Sequence, residues 1–135
     1  MQPEKTVTLL LEAPLSPSED PEKVIQAMKR VLGDAEHSLE VSSRLVRIAS
    51  TDRRGLRILH DQLRDRHVRS AARRLMLSRK IGDSTTILLN RQAATVGVIA
   101  LCATEGESPL GPISFTISSG DIDGVIEHLT AYRTG

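Results

Sequence analysis

Residues 6–33, TVTLLLEAPLSPSEDPEKVIQAMKRVLG, change their hydrophobic period once, and that change sets the fold class. Val7, Leu9 and Leu11 alternate with Thr6, Thr8 and Leu10, the period of two expected of a strand with a buried face. Pro14 and Pro17 end the strand, and Asp20-Pro21 opens a helix. The carboxylate accepts a backbone N–H there, and proline occupies a position where its missing donor costs nothing. Val24, Ala27, Met28, Val31 and Leu32 then recur at helical spacing until Gly33 stops the run. The acidic stretch Ser16 to Glu22 therefore reads as loop and cap chemistry, not as an acidic binding site.

Further along, Leu45, Val46 and Ile48 predict a short strand pair within His37 to Ala49. Ser50 or Thr51 is expected to cap a helix with Leu56, Leu59 and Leu63 on one face. A second helical stretch, Val68 to Arg79, buries Val68, Ala71, Ala72, Leu75 and Met76, and Gly82-Asp83 breaks it. Thr85 to Asn90 and Thr95 to Leu101 read as two strands joined by a turn. A loop rich in breakers covers Gly106 to Pro112, Ile113 to Ile117 is another strand, and Asp121 caps a last helix burying Val125, Ile126 and Leu129. The order predicts a single two-layer α+β domain over residues 1–135, its helices packed on one face of a largely antiparallel sheet.

The bulk composition narrows the class. A chain of 135 residues suits one domain, and its core must be aliphatic because Phe115 and Tyr132 are the only aromatic residues. The single cysteine, Cys102, excludes an internal disulfide, suits a reducing cytoplasm and lies in an apolar run where a buried, inert thiol is expected. Thr6 to Leu11 is too short for a signal peptide and is flanked by Glu4 and Glu12. No stretch approaches the ~18 apolar residues of a membrane span. A soluble cytoplasmic protein is expected.

Charge carries the functional signal. Between Arg44 and Lys80 stand twelve Lys or Arg and three acids, Asp52, Asp61 and Asp65, a net of +9; the remaining residues sum to −8. Asp61 and Asp65 lie within a turn of Arg57 and Arg64 and can absorb them. From Arg66 to Lys80, however, there are six cations (Arg66, Arg69, Arg73, Arg74, Arg79 and Lys80) and no acid. Arg66, Arg69 and Arg73 share a face at spacings of three and four, where like charges repel by a few tenths of a kcal/mol per pair. Either acids from the acidic ends of the chain or a bound polyanion would offset that repulsion.

Arg53 and Arg54 add a weaker clue, since cations are disfavoured at a helix start and a phosphate bound there would reverse the sign; Asp52 partly answers them. With one Phe and one Tyr, a platform for stacking single-stranded bases is nearly excluded. Arginines on a helix suit instead the phosphates of folded or double-stranded RNA, read by shape.

Catalytic alternatives have little support. His60 and His67 are about two helical turns apart, ~10 Å, too far to share one metal ion. Asp121 and Asp123 read as capping residues. No phosphate-cradling glycine loop or nucleophile elbow is present, so no metal, cofactor or active site is expected.

Three stretches carry a family resemblance: EAPLSPSEDPEKV at Glu12 to Val24, LNRQAATVG at Leu89 to Gly97, and ESPLGPI at Glu107 to Ile113. With the Arg-rich middle, they resemble an archaeal family of uncharacterised proteins usually labelled RNA-binding. The resemblance implies a fold like that of the large-subunit ribosomal protein that binds 5S rRNA, and a dimer. Arg91 stands where a lysine is expected, a change that keeps the charge, and His128 to Gly135 depart from the family's usual tail. The motifs also have physical readings. Pro109, Gly111 and Pro112 make a rigid loop that fixes how the next strand enters the sheet, with Glu107 and Ser108 available to a ligand. Asn90 and Gln92 flank Arg91 at what reads as a turn.

The expectation is thus a non-enzymatic module that binds structured RNA through Arg66, Arg69, Arg73 and Arg74, with Arg53, Arg54, Arg57 and Arg91 in second rank. The alternative is a homodimeric assembly module whose basic helices dock on acidic protein surfaces. A small-molecule enzyme, the third possibility, would need a pocket that the sequence does not display.

Overall fold

In the computed structural model, which describes residues 6–108 and 110–131, the opening strand β1 covers Val7–Pro14 and fully buries Val7, Leu9, Leu11 and Ala13. Pro109, Tyr132 and residues 1–5 and 133–135 lie outside the described residues, so the readings that touch them are not taken further. The Asp20 carboxylate accepts the Glu22 N–H at 3.0 Å and opens helix α1 (Pro21–Leu32). Its expected apolar stripe faces inward, joined by Ile25, and Gly33 ends the helix at a φ of 63°.

Strands β2 (Ser38–Val41) and β3 (Leu45–Ser50) form the hairpin expected in that region. A turn of 3-10 helix at Arg53–Leu56 leads into α2 (Arg57–Asp65), and Leu56, Leu59 and Leu63 are buried as read. The cap differs from expectation. Asp52, not Ser50 or Thr51, accepts the Arg54 N–H at 3.0 Å. Ser50 still ends β3, paired with Leu9, and its hydroxyl donates to the Glu36 carbonyl, so the chain is not yet released to start a helix. Gly55 is needed at this turn, because a Cβ would lie 2.5 Å from Leu9 Cδ1 on the strand beneath.

His67, at a φ of 59°, separates α2 from α3 (Arg69–Ser78). Ala72 and Met76 are fully buried, and Val68, Ala71 and Leu75 are half-buried. Strand β4 (Ser84–Leu89) follows. Residues 95–101 do not form the expected strand. Instead Arg91–Thr95 is a short helix, α4, with Asn90 Oδ1 accepting the Ala93 N–H at 2.9 Å, and the strand that follows it, β5, is only Leu101–Cys102, paired with β4. The misleading signal was Val96, which is 73% exposed; Ile99 supplies the core contact, and Gly97 at a φ of 78° turns the chain between them. Strand β6 (Ile113–Ser119) and helix α5 (Ile122–Thr130) are the last elements among the described residues, the latter capped by Asp121 as predicted.

The loop after α4 is held by a side chain that carries no sequence signal. Gln62 Nε2 donates to the Gly97 carbonyl and its Oε1 accepts the Ile99 N–H, both at 2.7 Å. Gln62→Leu removes both partners and is expected to cost about 1–3 kcal/mol, read as a lower urea midpoint. A change within about 0.5 kcal/mol, as for an ordinary surface residue, would show that other contacts hold the loop.

All six strands lie in one antiparallel sheet in the order β2-β3-β1-β6-β4-β5. Ile48, Leu11, Phe115 and Ile87 are register partners across four of them and face one core shared with residues of all five α-helices. The opposite face pairs Ser84 with Ser118 and Thr86 with Thr116 through their hydroxyls, beside Leu10, Leu88 and Cys102. The predicted two-layer α+β domain is therefore the observed one. Cys102 is buried, and burial together with the nearby Glu107 charge raises its thiol pKa. No helix among the described residues is long and apolar enough to cross a membrane.

Candidate nucleic-acid interface

Leu59 and Leu63 of α2 and Ala72 and Met76 of α3 point into the core, so the remaining helix faces carry the cations to the surface. Arg57 at the start of α2, Arg66 at its end and Arg74 on α3 are exposed, and none has a side-chain hydrogen bond or ion pair among the described residues. Arg69 and Arg73 of the predicted contacts, and Arg79 and Lys80 beside them, are engaged by the protein itself. Arg73 Nη1 donates to Glu127 Oε1 at 2.6 Å and reaches Thr130 Oγ1 at 3.4 Å. Arg69 Nη1 donates to the Ala131 carbonyl at 3.0 Å. Lys80 Nζ meets Asp123 Oδ1 at 2.6 Å, and Arg79 Nη2 donates to the Ala103 carbonyl.

Helix α5 thus supplies the acids that α3 lacks. The self-neutralising arrangement weighed from charge alone is realised for Arg73 and Lys80, through residues 54 and 43 positions away. These pairs are largely exposed, so each contributes no more than about 1 kcal/mol. Their main effect is to orient α3 against α5.

At the start of the preceding turn, the Asp52 carboxylate is where a phosphate was considered. It accepts from the Arg54 side chain (Nη2 at 2.7 Å, Nε at 3.0 Å) and from the backbone N–H groups of Glu36 and Arg54. The Arg54 hydrogen bond, then those two N–H groups, hold the Asp52 carboxyl well below the usual range. An internal anion already occupies the position. Arg53 is exposed beside it.

Arg91 requires a correction. It was read as a surface candidate at a turn, yet it is 5% exposed. Its Nη1 donates to Glu19 Oε2 and its Nη2 to the Pro14 carbonyl, both at 2.6 Å, and its Nε donates to the Gly111 carbonyl at 3.0 Å. The Arg91 N–H donates to Ser108 Oγ, and the Ser16 N–H to Glu19 Oε1. The three motif stretches therefore converge on one buried guanidinium, whose fork serves three separate oxygens and not charge alone. Burial raises the Glu19 carboxyl, but the Ser16 N–H and Arg91 outweigh it and leave its pKa lowered. Ser108 is buried, and Glu107 accepts the Ala103 N–H at 2.6 Å, so both serve the scaffold.

One feature escaped the sequence reading. His60 of α2 and His128 of α5 stack with ring centroids 4.9 Å apart and an interplanar angle of 13°. They border a cleft of about 870 Å³ lined also by Arg64, Arg69, Gly124 and Glu127, and a smaller one of about 170 Å³ with Arg53 and Arg57. His60 is near Asp61, 3.0 Å from Nδ1 to Oδ1. No signal in the sequence joins these histidines, because only the packing of α5 on α2 does so. Among the described residues, no cluster of three or more His, Cys, Asp or Glu could hold a metal.

No family model matches the chain. A UPF0201 protein of Sulfurisphaera tokodaii is 38% identical over 125 residues, covering 90% of this chain and 86% of the relative. One from Sulfolobus acidocaldarius is 35% identical over 127 residues, with the same coverage. Among solved structures, a UPF0201 protein from Methanococcus jannaschii superposes with a TM-score of 0.75 at 21% identity, covering 95% of this chain and 96% of that one. Protein AF2318 from Archaeglobus fulgidus gives 0.73 at 18% identity, covering 96% and 100%. These two share the fold, and the curated relatives share the sequence over most of their length. The archaeal membership that the three motifs imply is thereby established: the chain belongs to the UPF0201 family.

Proposed function

We propose that this protein is a non-catalytic, cytoplasmic module that binds structured RNA through the outward surface of α2 and α3. The observation that carries the reading is the set Arg57, Arg66 and Arg74, exposed and unanswered among the described residues, within a segment of net charge +9. Arg69 and Arg73 are second to these, because their guanidinium groups also fasten α5. The ribosomal-protein-like fold and the dimer implied by the motifs belong to the same proposal. Strand β2 offers the dimer a sheet edge, with Leu39 and Val41 exposed on it.

The test is binding to a folded RNA duplex and to a single strand across a salt titration. Three to five phosphate contacts predict a log–log slope of roughly −3 to −4 and preference for the duplex. Replacing Arg57, Arg66 and Arg74 together with Gln is expected to flatten the slope by roughly 2–3 and leave the unfolding midpoint unchanged. Equal affinity in the triple variant would remove these residues from the interface. The assembly alternative predicts instead an oligomer that dissociates as salt rises, visible by light scattering in the same series.

A further inference from the structure

We propose that the cleft between α2 and α5 binds one nucleoside monophosphate unit, its base against the stacked imidazoles of His60 and His128 and its phosphate on Arg64. For substrate class this rests on the RNA reading, which it deepens: the unit is either a 5′-phosphorylated RNA end or a free nucleotide.

The composition argued against base stacking because the chain has almost no Phe, Tyr or Trp. Imidazole rings also stack on bases, and here two of them form a single near-parallel pair at a cleft. His60 is 31% exposed at its side chain and His128 is exposed, so the pair reaches solvent. A cleft of about 870 Å³ is far larger than a lone phosphate needs and falls in the range of small-molecule sites.

The charges are arranged to suit the same ligand. Arg64 and Arg69 line the cleft, and the one acid among its described lining residues, Glu127, is already paired with Arg73. The adjoining small cavity shares both histidines and adds Arg53 and Arg57. Arg64 meets Asp65 through a single 3.3 Å contact from Nε and is 55% exposed, which leaves its terminal nitrogens available to an anion. Flat π surface and guanidinium donors lining one cleft are what a mononucleotide requires, and a duplex interior, whose bases are already stacked, would not use the first.

The test follows the ring proton signals of the histidines by NMR at pH 7.5, with AMP, inorganic phosphate, and a short RNA duplex with a single-stranded 5′ overhang, 5′-phosphorylated or 5′-hydroxyl. AMP is expected to shift the His60 and His128 signals upfield and saturably, and inorganic phosphate to leave them in place. His60→Ala, the exposed His128→Ala and Arg64→Gln are each expected to raise the AMP dissociation constant about tenfold or more. Unmoved ring signals at millimolar AMP, or unchanged AMP affinity in all three variants, would overturn the proposal. A preference of about tenfold for the 5′-phosphorylated strand assigns the RNA end; AMP binding with no such preference assigns the free nucleotide. If the duplex binds with the predicted salt slope but AMP does not bind, the cleft assignment fails and the RNA reading stands. If AMP binds and the duplex does not, the RNA reading fails and the cleft remains a nucleotide site.

Discussion

Arg91→Ala is expected to lower the unfolding free energy by about 3–5 kcal/mol, because it strands the Glu19 carboxylate and takes the donor from the part-buried hydrogen bonds to the Pro14 and Gly111 carbonyls. Glu19 is 12% exposed at its side chain, so water compensates little. The loop after β1, the start of α4 and the loop before β6 would loosen together. Replacing both members of the pair, Arg91→Leu with Glu19→Leu, is expected to recover part of the loss, since no charge is then stranded.

A pH series adds an independent check. The Glu19 carboxyl has a lowered folded-state pKa. Its contribution is therefore fully present above the unfolded-state pKa and is lost as pH falls through the folded value. The native protein should lose this increment in acid below the ordinary carboxylate range, and Arg91→Ala should show less of that loss. A urea midpoint for Arg91→Ala within about 1 kcal/mol of the native protein would show that the guanidinium is dispensable.

Phe115→Ala should cost a similar amount, about 3–5 kcal/mol, or roughly 11–18 °C in thermal midpoint. Phe115 is fully buried at the middle of β6, between Leu11 on one side and Ile87 on the other. It is the largest fully buried side chain in an otherwise aliphatic core, and no neighbour can expand to fill the space. Phe115→Leu, which keeps most of the volume, is expected to cost well under half as much. Equal losses for Leu and Ala would mean that the aromatic shape, not the filled volume, matters at this position.

The parts of the molecule governed by neighbours in sequence were legible. The period of two in β1 and the helical stripe of α1 follow from which residues can share a face within a few positions, and Asp20, Gly33 and Asp121 end or start helices by local hydrogen bonding. Where the local reading failed, a competing local rule won. Asn90 capped the helix Arg91–Thr95 where a turn was expected, and the strand expected over Thr95 to Leu101 shrank to Leu101–Cys102.

The site divides differently. The sequence alone determined that positive charge is concentrated between Arg44 and Lys80 and that the core is aliphatic, since both are sums over composition and short-range pattern. Only the tertiary structure decided which cations face solvent. Arg91 found Glu19 at 72 positions' distance and was buried, Arg73 found Glu127 at 54, and His60 met His128 through the packing of α5 on α2. Charge and periodicity belong to each residue and its neighbours. A partner across the fold exists only once the sheet order and the seating of the helices have closed the distance, and no short-range spacing in the sequence records that.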